Sequence, residues 1–259
     1  MPCIALLSDF GLVDATASIA KGILMQHTPD LPITDISHEV QPYNTGQAAY
    51  LLASAYKNFP AGTCHVLLFN IFSETTHNLI LSEYKGWYFL SSDNGLLPLA
   101  LGLEPEAWLC LELKATDTFN DWLHEAGRII RLLQTQRPEE IGLQPYHLKE
   151  TSNNYMPVLD ANYLKCEVIH VDNYENVVIN FTRPQLASLG KGRPFRLQFT
   201  ETEEITNIST NYNDVRPGYK LCRFNSNDYL EICINRGKAA SLLGLRLGGK
   251  HNDIKIFFE

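Results

Sequence analysis

Residues 3–11 read Cys-Ile-Ala-Leu-Leu-Ser-Asp-Phe-Gly, a short apolar run that ends at an acid, an aromatic residue and a glycine. A continuous apolar run of this length is typical of a strand that is covered on both faces of a sheet. A helical pattern follows from about Asp14 to His27 and ends before Pro29. A strand followed by a helix indicates an α/β domain with a largely parallel sheet. Ligands of such sheets bind beyond the carboxyl ends of the strands, so Asp9 is a candidate ligand-binding residue.

The rest of the first half repeats this alternation of strand and helix patterns. The predicted elements are strands at residues 33–36, 65–69, 79–84 and 87–91 and helices at residues 44–58 and 121–134. The third and fourth of these strands join around Lys85-Gly86, which predicts a hairpin.

The second half has a different pattern, which predicts a second domain. Between about Pro145 and Tyr163 the sequence is polar and irregular, and we interpret it as an exposed linker. Short apolar runs with Gly, Pro and Asn turns follow at residues 165–170, 177–181, 195–199, 220–224, 229–234 and 254–258. Such runs are typical of a small barrel or sandwich. We therefore predict an α/β domain at residues 1–155 and an all-β domain at residues 163–259.

Composition excludes several classes of function. The formal net charge of −8 argues against nucleic acid as a partner, because a phosphate backbone requires a basic surface. No apolar run approaches the ~20 residues of a membrane-spanning helix. The chain opens without a basic or signal-like segment, so we expect a cytoplasmic protein with no membrane partner. The six cysteines are scattered and the eight histidines form no HxxxH pattern, so we predict no metal site.

The first polar cluster lies after the first strand. Asp9 stands at the strand end and Asp14 lies close to the start of the next helix, so both are candidate ligand-binding residues. The alternative is that Asp9 only forms a turn and Asp14 only caps the helix. The residues alone leave both interpretations open.

The second cluster lies before the helix at residues 44–58. Tyr43 could stack on a sugar or a base. The alternative is a hydrophobic staple before a helix that Asn44 or Thr45 caps, and the residues alone favour the staple.

Two further clusters lie between strands of the second half. Residues 172–176 include Asn176, whose amide offers a donor and an acceptor to the edge of an adenine base. Residues 225–229 precede a strand that leads into residues 235–237. The alternative for both clusters is an ordinary turn.

The combination of these motifs resembles one family. Ser8-Asp9-Phe10-Gly11, Lys21-Gly22, Asp35-Ile36-Ser37-His38-Glu39 and Asp93-Asn94-Gly95 are similar to motifs of the S-adenosylmethionine (SAM) hydroxide adenosyltransferases and SAM halogenases. Asp172…Asn176, Asn225-Ser226…Tyr229-Leu230-Glu231 and Asn235-Arg236-Gly237 follow in family order. The resemblance covers most of the chain, from about Ile4 to beyond Ile234.

The resemblance implies a fold, a ligand and an assembly. It implies a homotrimer in which SAM lies between the α/β domain of one subunit and the β domain of the next. SAM is then a substrate or ligand, and no cofactor is implied. The implied contacts are Asp9 and Tyr43 at the ribose, Asp14 and Asp172 at the methionine amino group, Ser226 at the methionine carboxylate, and Tyr174, Asn176, Tyr212 and Arg236 at the adenine.

The chain departs from the family where the attacking water is held. The family motif Asp-Pro-Gly-Val-Gly-Thr is replaced by Asn70-Ile71-Phe72-Ser73-Glu74-Thr75. The resemblance places the family's Asp, Arg and His on Asn70, His77 and Asn120, so these are the candidate catalytic positions. Neither asparagine is a useful base near neutral pH. Ser73 is a further candidate ligand-binding residue in the altered loop.

Two hypotheses about function follow from this pattern. The first is an enzyme that hydrolyses SAM at the ribose C5′ to adenosine and methionine, with a weakened or rewired water site. The second is a non-catalytic trimer that binds SAM or adenosine. The family resemblance favours the enzyme. Asp121 and His77 could form a substitute catalytic pair, although Asp121 could equally cap a helix that begins at Trp122.

Overall fold

The computed structural model of the chain describes residues 1–71, 78–102, 105–112, 116–149, 156–160, 162–200, 203–249 and 252–259. The chain divides into two compact units, Met1–Thr151 and Ser152–Glu259. The first unit contains parallel strands and helices, and the second contains sheets that are mostly antiparallel.

The first unit alternates strands and helices. Its elements are β1 (Ile4–Ser8), α1 (Thr16–His27), β2 (Ile33–Ser37), α2 (Thr45–Ala55), β3 (Cys64–Leu68), β4 (Asn78–Tyr84), β5 (Trp87–Ser91), α3 (Leu96–Leu101), β6 (Glu106–Glu112), α4 (Phe119–Leu132) and β7 (Gln144–Pro145). Short 3₁₀ turns lie at Tyr56–Asn58 and Pro138–Ile141. No described helix is both long and apolar enough to cross a membrane.

The sheet of the first unit is parallel on one side and antiparallel on the other. Its strand order is β2-β1-β3-β5-β4-β6-β7. The first four strands in this order pair in parallel, and the remaining pairings are antiparallel. The expectation of a largely parallel sheet is therefore correct only for half of it. The cause is the turn at Lys85-Gly86, where both residues have positive φ and the chain reverses without a crossover helix.

Helices cover both faces of this sheet. Because successive side chains of a strand point to opposite faces, Leu6 packs in a core with Leu24 of α1 and Trp122 of α4. Leu7 packs in a second core with Leu52 of α2. The whole of β1 is buried, which explains its uninterrupted apolar sequence.

The start of α4 corrects one prediction. The helix begins at Phe119, and Thr118 is its N-cap. The Thr118 side chain accepts the backbone N–H of Asp121 at 3.4 Å, and Asp121 accepts the N–H of Thr118 at 2.7 Å. This is a capping box, so Asp121 lies in the first turn and does not cap a helix that begins at Trp122.

The segment predicted as a linker is partly structured. β7 pairs with β6 in the first sheet. Beyond it, the Tyr146 hydroxyl donates to Asp93 at 2.9 Å, and the N–H of Lys149 donates to the same carboxylate. Residues 144–149 therefore belong to the first unit, because they satisfy a buried carboxylate there.

The second unit consists of two five-stranded sheets that share one hydrophobic core. Its elements are β8 (Val158–Leu159), β9 (Leu164–Cys166), β10 (Val168–Val171), β11 (Val177–Thr182), α5 (Arg183–Gln185), a π-helical turn (Leu186–Gly190), β12 (Phe195–Gln198), β13 (Glu204–Ile205), β14 (Ile208–Ser209), a 3₁₀ turn (Tyr212–Asp214), β15 (Lys220–Phe224), β16 (Tyr229–Ile234), α6 (Ala239–Leu243) and β17 (Ile254–Phe258). The sheet orders are β10-β11-β16-β15-β14 and β13-β12-β17-β9-β8.

The run at residues 165–170 forms two strands and not one. β9 pairs with β17 in one sheet, whereas β10 pairs with β11 in the other. The chain changes sheets at Glu167, whose backbone N–H donates to the side chain of Asn180 at 2.8 Å.

Candidate functional site

A pocket opens at the carboxyl end of β1, and we call it the β1 pocket. Its volume is about 440 Å³. Its lining residues are Asp9, Phe10, Thr16, Pro42, Tyr43, Asn70, Ile71 and Phe119. The carboxyl ends of the parallel strands β1 and β3 meet here, which is where open α/β sheets bind ligands.

Asp9 is the acidic group of this pocket. Burial raises the pKa of Asp9, and the backbone N–H of Asn70, 3.3 Å from Oδ2, opposes that rise. A carboxylate that is partly removed from water makes stronger hydrogen bonds to a ligand hydroxyl than an exposed one does.

A buried histidine fixes the backbone on both sides of Asp9. His38 Nδ1 lies 2.6 Å from the hydroxyl of Ser8, and the carbonyl of His38 accepts the N–H of Gly11 at 2.7 Å. His38 Nε2 lies 3.0 Å from Asp35 Oδ1, and Asp35 also binds Lys21 at 2.7 Å.

Asp35 lies beside two basic side chains. Partial burial acts to raise the pKa of Asp35, but the neighbouring Lys21 and His38 hold it below its usual value. The contact between His38 Nδ1 and the Ser8 hydroxyl and the hydrogen bond from Gly11 to the His38 carbonyl hold the backbone on both sides of Asp9.

Two residues of the β1 pocket have left-handed backbone conformations. Asn70 has φ of 48° and Tyr43 has φ of 64°. Asparagine tolerates this region, whereas it strains a residue as bulky as tyrosine. Such strain is concentrated at functional sites.

The Tyr43 side chain does not form the hydrophobic staple that the residues alone favoured, because it is 78% exposed. Asn44 caps α2, with its side chain accepting the N–H of Gln47 at 2.9 Å. The Tyr43 ring is therefore available to a ligand at the rim of the β1 pocket.

Two aromatic residues that the sequence did not single out form one wall of this pocket. The rings of Phe10 and Phe119 meet edge to face, with centroids 5.3 Å apart. Asn120 is exposed, and its neighbour Phe119 lines the pocket in its place. Asp14 is also exposed, and its carboxylate accepts the N–H of Thr16 at 2.8 Å. The N-cap of α1 is Ala15 and not Asp14, so the alternative that Asp14 caps the helix is wrong.

A second pocket lies between two turns of the second unit, and we call it the turn pocket. Its volume is about 510 Å³. Its lining residues are Asn173, Tyr174, Asn176, Tyr212, Ile234, Arg236, Gly237 and Lys238. Tyr174, Asn176, Tyr212 and Arg236 were candidate ligand-binding residues from the sequence, and the structure brings these four together.

Asp172 organises one of these turns. Its Oδ1 accepts the backbone N–H groups of Tyr174 and Asn176, and its Oδ2 lies 2.9 Å from the amide nitrogen of Asn176. A carboxylate only accepts, so the NH₂ group of Asn176 faces Asp172. The carbonyl oxygen of Asn176 is thereby left as the group that can accept a hydrogen bond from a ligand.

Tyr212 is held by a buried ion pair. Its hydroxyl donates to Glu231 at 2.9 Å, and Glu231 is 4% exposed. Arg223 binds the same carboxylate at 2.9 Å and lies 4.7 Å from the centroid of the Tyr212 ring. Burial, together with the Glu231 carboxylate, raises the pKa of Tyr212 to about 12. The ring is therefore neutral and fixed in orientation.

The remaining candidates lie elsewhere. Ser226 is exposed in the turn between β15 and β16, at the opposite end of β16 from Arg236. The structure does not place it with the turn pocket. Ser73 and His77 lie outside the described residues.

Comparison with known proteins identifies the family. The model of the SAM hydroxide adenosyltransferase N-terminal domain matches residues 4–137, and that of the C-terminal domain matches residues 166–251. A protein of Salinispora tropica named (R)-S-adenosyl-L-methionine hydrolase is 26% identical over 261 residues, which cover 96% of each chain. A protein of Thermus thermophilus with the same name is 26% identical over 260 residues, covering 93% of this chain and 95% of the relative.

A solved structure supports the fold. The crystal structure of an uncharacterized conserved protein from Thermotoga maritima superimposes with a TM-score of 0.81 at 24% identity, covering 99% of this chain and all of the other. The two domain models together span most of the sequence, in the order of the two compact units. The chain belongs to the SAM hydroxide adenosyltransferase family.

Proposed function

We propose that the protein hydrolyses S-adenosylmethionine at the ribose C5′ to adenosine and methionine. The observation that carries this proposal is the β1 pocket, where the half-buried Asp9 and the exposed ring of Tyr43 lie together at the end of β1. The relatives named above are hydrolases of the (R)-epimer of this sulfonium, so we propose the same epimer as the substrate.

Asp9 suits the ribose of this substrate. A ribose carries two neighbouring hydroxyl donors, and a carboxylate accepts two parallel hydrogen bonds. The aromatic residues Phe10, Tyr43 and Phe119 supply ring faces near the same carboxylate, which suits a ligand with a positive sulfonium.

The turn pocket suits the adenine. Tyr174 and Tyr212 offer ring faces to a purine, and the carbonyl oxygen of Asn176 can accept from its exocyclic amino group. The orientation of Tyr212 is set by Glu231 and Arg223, so stacking costs little ordering of that side chain.

The reaction needs a positioned water more than it needs an acid. Water attacks C5′ opposite the sulfonium, the C5′–S bond breaks, and its electron pair leaves with sulfur as the neutral thioether of methionine. The attacking water loses one proton to solvent. Among the described lining residues of the β1 pocket, Asn70 offers an amide that can hold this water but cannot take its proton. We therefore propose slow turnover.

The non-catalytic alternative has less support. The relatives that match almost the whole chain are named as hydrolases.

We also propose that the protein is a homotrimer in which the β1 pocket of one subunit faces the turn pocket of its neighbour. Both pockets have exposed apolar side chains at or near their rims, including Leu12, Tyr43 and Tyr174. A partner that covers these side chains removes apolar surface from water. Sedimentation should show a trimer at micromolar concentration, and a monomer would contradict a shared site.

Product analysis tests the proposed function. The protein is incubated separately with the (R)- and (S)-epimers of S-adenosylmethionine, and adenosine and methionine are quantified by mass spectrometry. We expect equal amounts of both products from the (R)-epimer and less from the (S)-epimer. Binding of SAM without either product would support the non-catalytic alternative.

A further inference from the structure

Glu175 lies in the first turn of the turn pocket, between two of its lining residues, Tyr174 and Asn176. Its backbone has φ of 62°, a left-handed conformation that favours glycine. A glutamate in this conformation strains the backbone, so we expect its side chain to make contacts that glycine cannot make.

The side chain of Glu175 reaches the second turn of the pocket. One carboxylate oxygen accepts the backbone N–H of Ser241 at 3.0 Å and also the hydroxyl of Ser241. The other oxygen lies 2.9 Å from the ammonium of Lys238. The backbone carbonyl of Glu175 accepts the N–H of Ala240 at 2.9 Å.

These contacts join the two turns that line the pocket. The first turn contributes residues 173, 174 and 176, and the second contributes residues 236–238. The second turn is itself tight, because Arg236 has φ of 55° and an added Cβ at Gly237 would lie 2.4 Å from the side chain of Ile234.

We propose that Glu175 is a positioning residue that sets the spacing of the two turns and thereby the affinity for the adenine base. This inference rests on the proposed function, because it assumes that an adenine occupies the turn pocket. Hydrogen bonds with Ser241, followed by the ion pair with Lys238, lower the pKa of Glu175 to about 2. The carboxylate is therefore ionised throughout the neutral range.

The test compares binding with stability. Glu175→Gly removes the carboxylate and relieves the strained backbone. We expect the affinity for adenosine, measured by calorimetry, to fall at least about fivefold while Tm stays the same or rises. A residue with a merely structural role would lower Tm and affinity together. Glu175→Gln keeps an acceptor oxygen for Ser241, and we expect its affinity to stay within about threefold of the wild type.

Two further variants separate the causes. Ser241→Ala removes one partner of Glu175 outside the pocket lining, and we expect a smaller loss of affinity in the same direction. Lys191→Gly relieves a left-handed residue of the same unit, with φ of 50°, that does not line the turn pocket. We expect its affinity to be unchanged, so any loss in Glu175→Gly does not come from backbone relief alone.

The outcomes distinguish this inference from the proposed function. If wild-type protein binds neither adenosine nor S-adenosylmethionine, the proposed function is wrong. If the wild type binds adenosine and Glu175→Gly binds it equally well, the proposed function stands and the positioning role is wrong.

Discussion

His65 provides the prediction whose magnitude follows most directly from the structure. It lies in β3 with no exposed surface, and its ring stacks on Phe89 with centroids 5.1 Å apart. The rings of Tyr56 and Phe59 meet it edge to face. Within the described part of the chain, neither ring nitrogen has a hydrogen-bond partner. Burial among these rings lowers the pKa of His65 to about 4.

This shift makes the first unit sensitive to acid. Well above pH 6.5 the imidazole is neutral in both the folded and the unfolded state, so it adds no pH dependence. Below pH 6.5 the unfolded chain binds a proton that the folded unit does not, and the free energy of unfolding falls. The loss ends near pH 4, where the folded state also binds the proton. Between pH 7.5 and 4.5 the expected loss is about 2.5 kcal/mol, since one pKa unit corresponds to about 1.4 kcal/mol.

The assay is urea unfolding of wild type and His65→Leu at both pH values. All three tryptophans lie at positions 87, 108 and 122 of the first unit, so tryptophan fluorescence reports on the unit that contains His65. Other titrating groups are common to both proteins and cancel in the difference. We expect His65→Leu to lose about 2.5 kcal/mol less than the wild type between the two pH values. Equal losses would show that the aromatic cluster does not exclude the charged imidazole.

Three further predictions concern the β1 pocket. Asp9→Ala should weaken adenosine binding at least about tenfold, because two charge-assisted hydrogen bonds to the ribose, of about 1.5–3 kcal/mol each, are lost. Unchanged affinity by calorimetry would contradict the proposal that Asp9 binds the ribose. Ser8→Ala should also weaken adenosine binding, because the Ser8 hydroxyl contacts His38 and holds the backbone before Asp9. Ser8→Thr keeps a hydroxyl and should bind adenosine as the wild type does; if Ser8→Ala and Ser8→Thr bind adenosine equally well, the role of the hydroxyl is refuted. Asn70→Asp should raise adenosine formation from S-adenosylmethionine, because Asn70 lines the β1 pocket and positioned acid–base groups contribute about 10²–10⁴ in rate; no gain with substrate still bound would contradict a water site at Asn70.

The strand and helix patterns of the first unit were readable from the sequence, because a strand covered on both faces is an uninterrupted apolar run and an amphipathic helix repeats its apolar residues every three to four positions. The buried run of β1 and the apolar face of α4 are examples. The antiparallel half of the sheet was underestimated, although the hairpin at Lys85-Gly86 was itself predicted. Strands of two residues, such as β7 and β8, have too few positions to show any period.

The candidate site was only partly readable from the sequence. Asp9 and Asn176 were selected because acids and amides at strand ends and turns commonly bind ligands. The wall of Phe10 and Phe119 was missed, because residues so far apart in the chain meet only through the fold. The contact of Glu175 with the start of α6 was missed for the same reason, and no local pattern indicated its left-handed backbone.

Hydrolysis in ¹⁸O-labelled water tests the central claim most directly. The protein is incubated with the (R)-epimer of S-adenosylmethionine in labelled water, and the adenosine formed is analysed by mass spectrometry. The account predicts one ¹⁸O atom in the 5′-hydroxyl of adenosine, an equal amount of unlabelled methionine, and at least about tenfold less of both products from Asp9→Ala when the substrate is below saturation. Unlabelled adenosine, or adenosine formation that does not depend on Asp9, would contradict it.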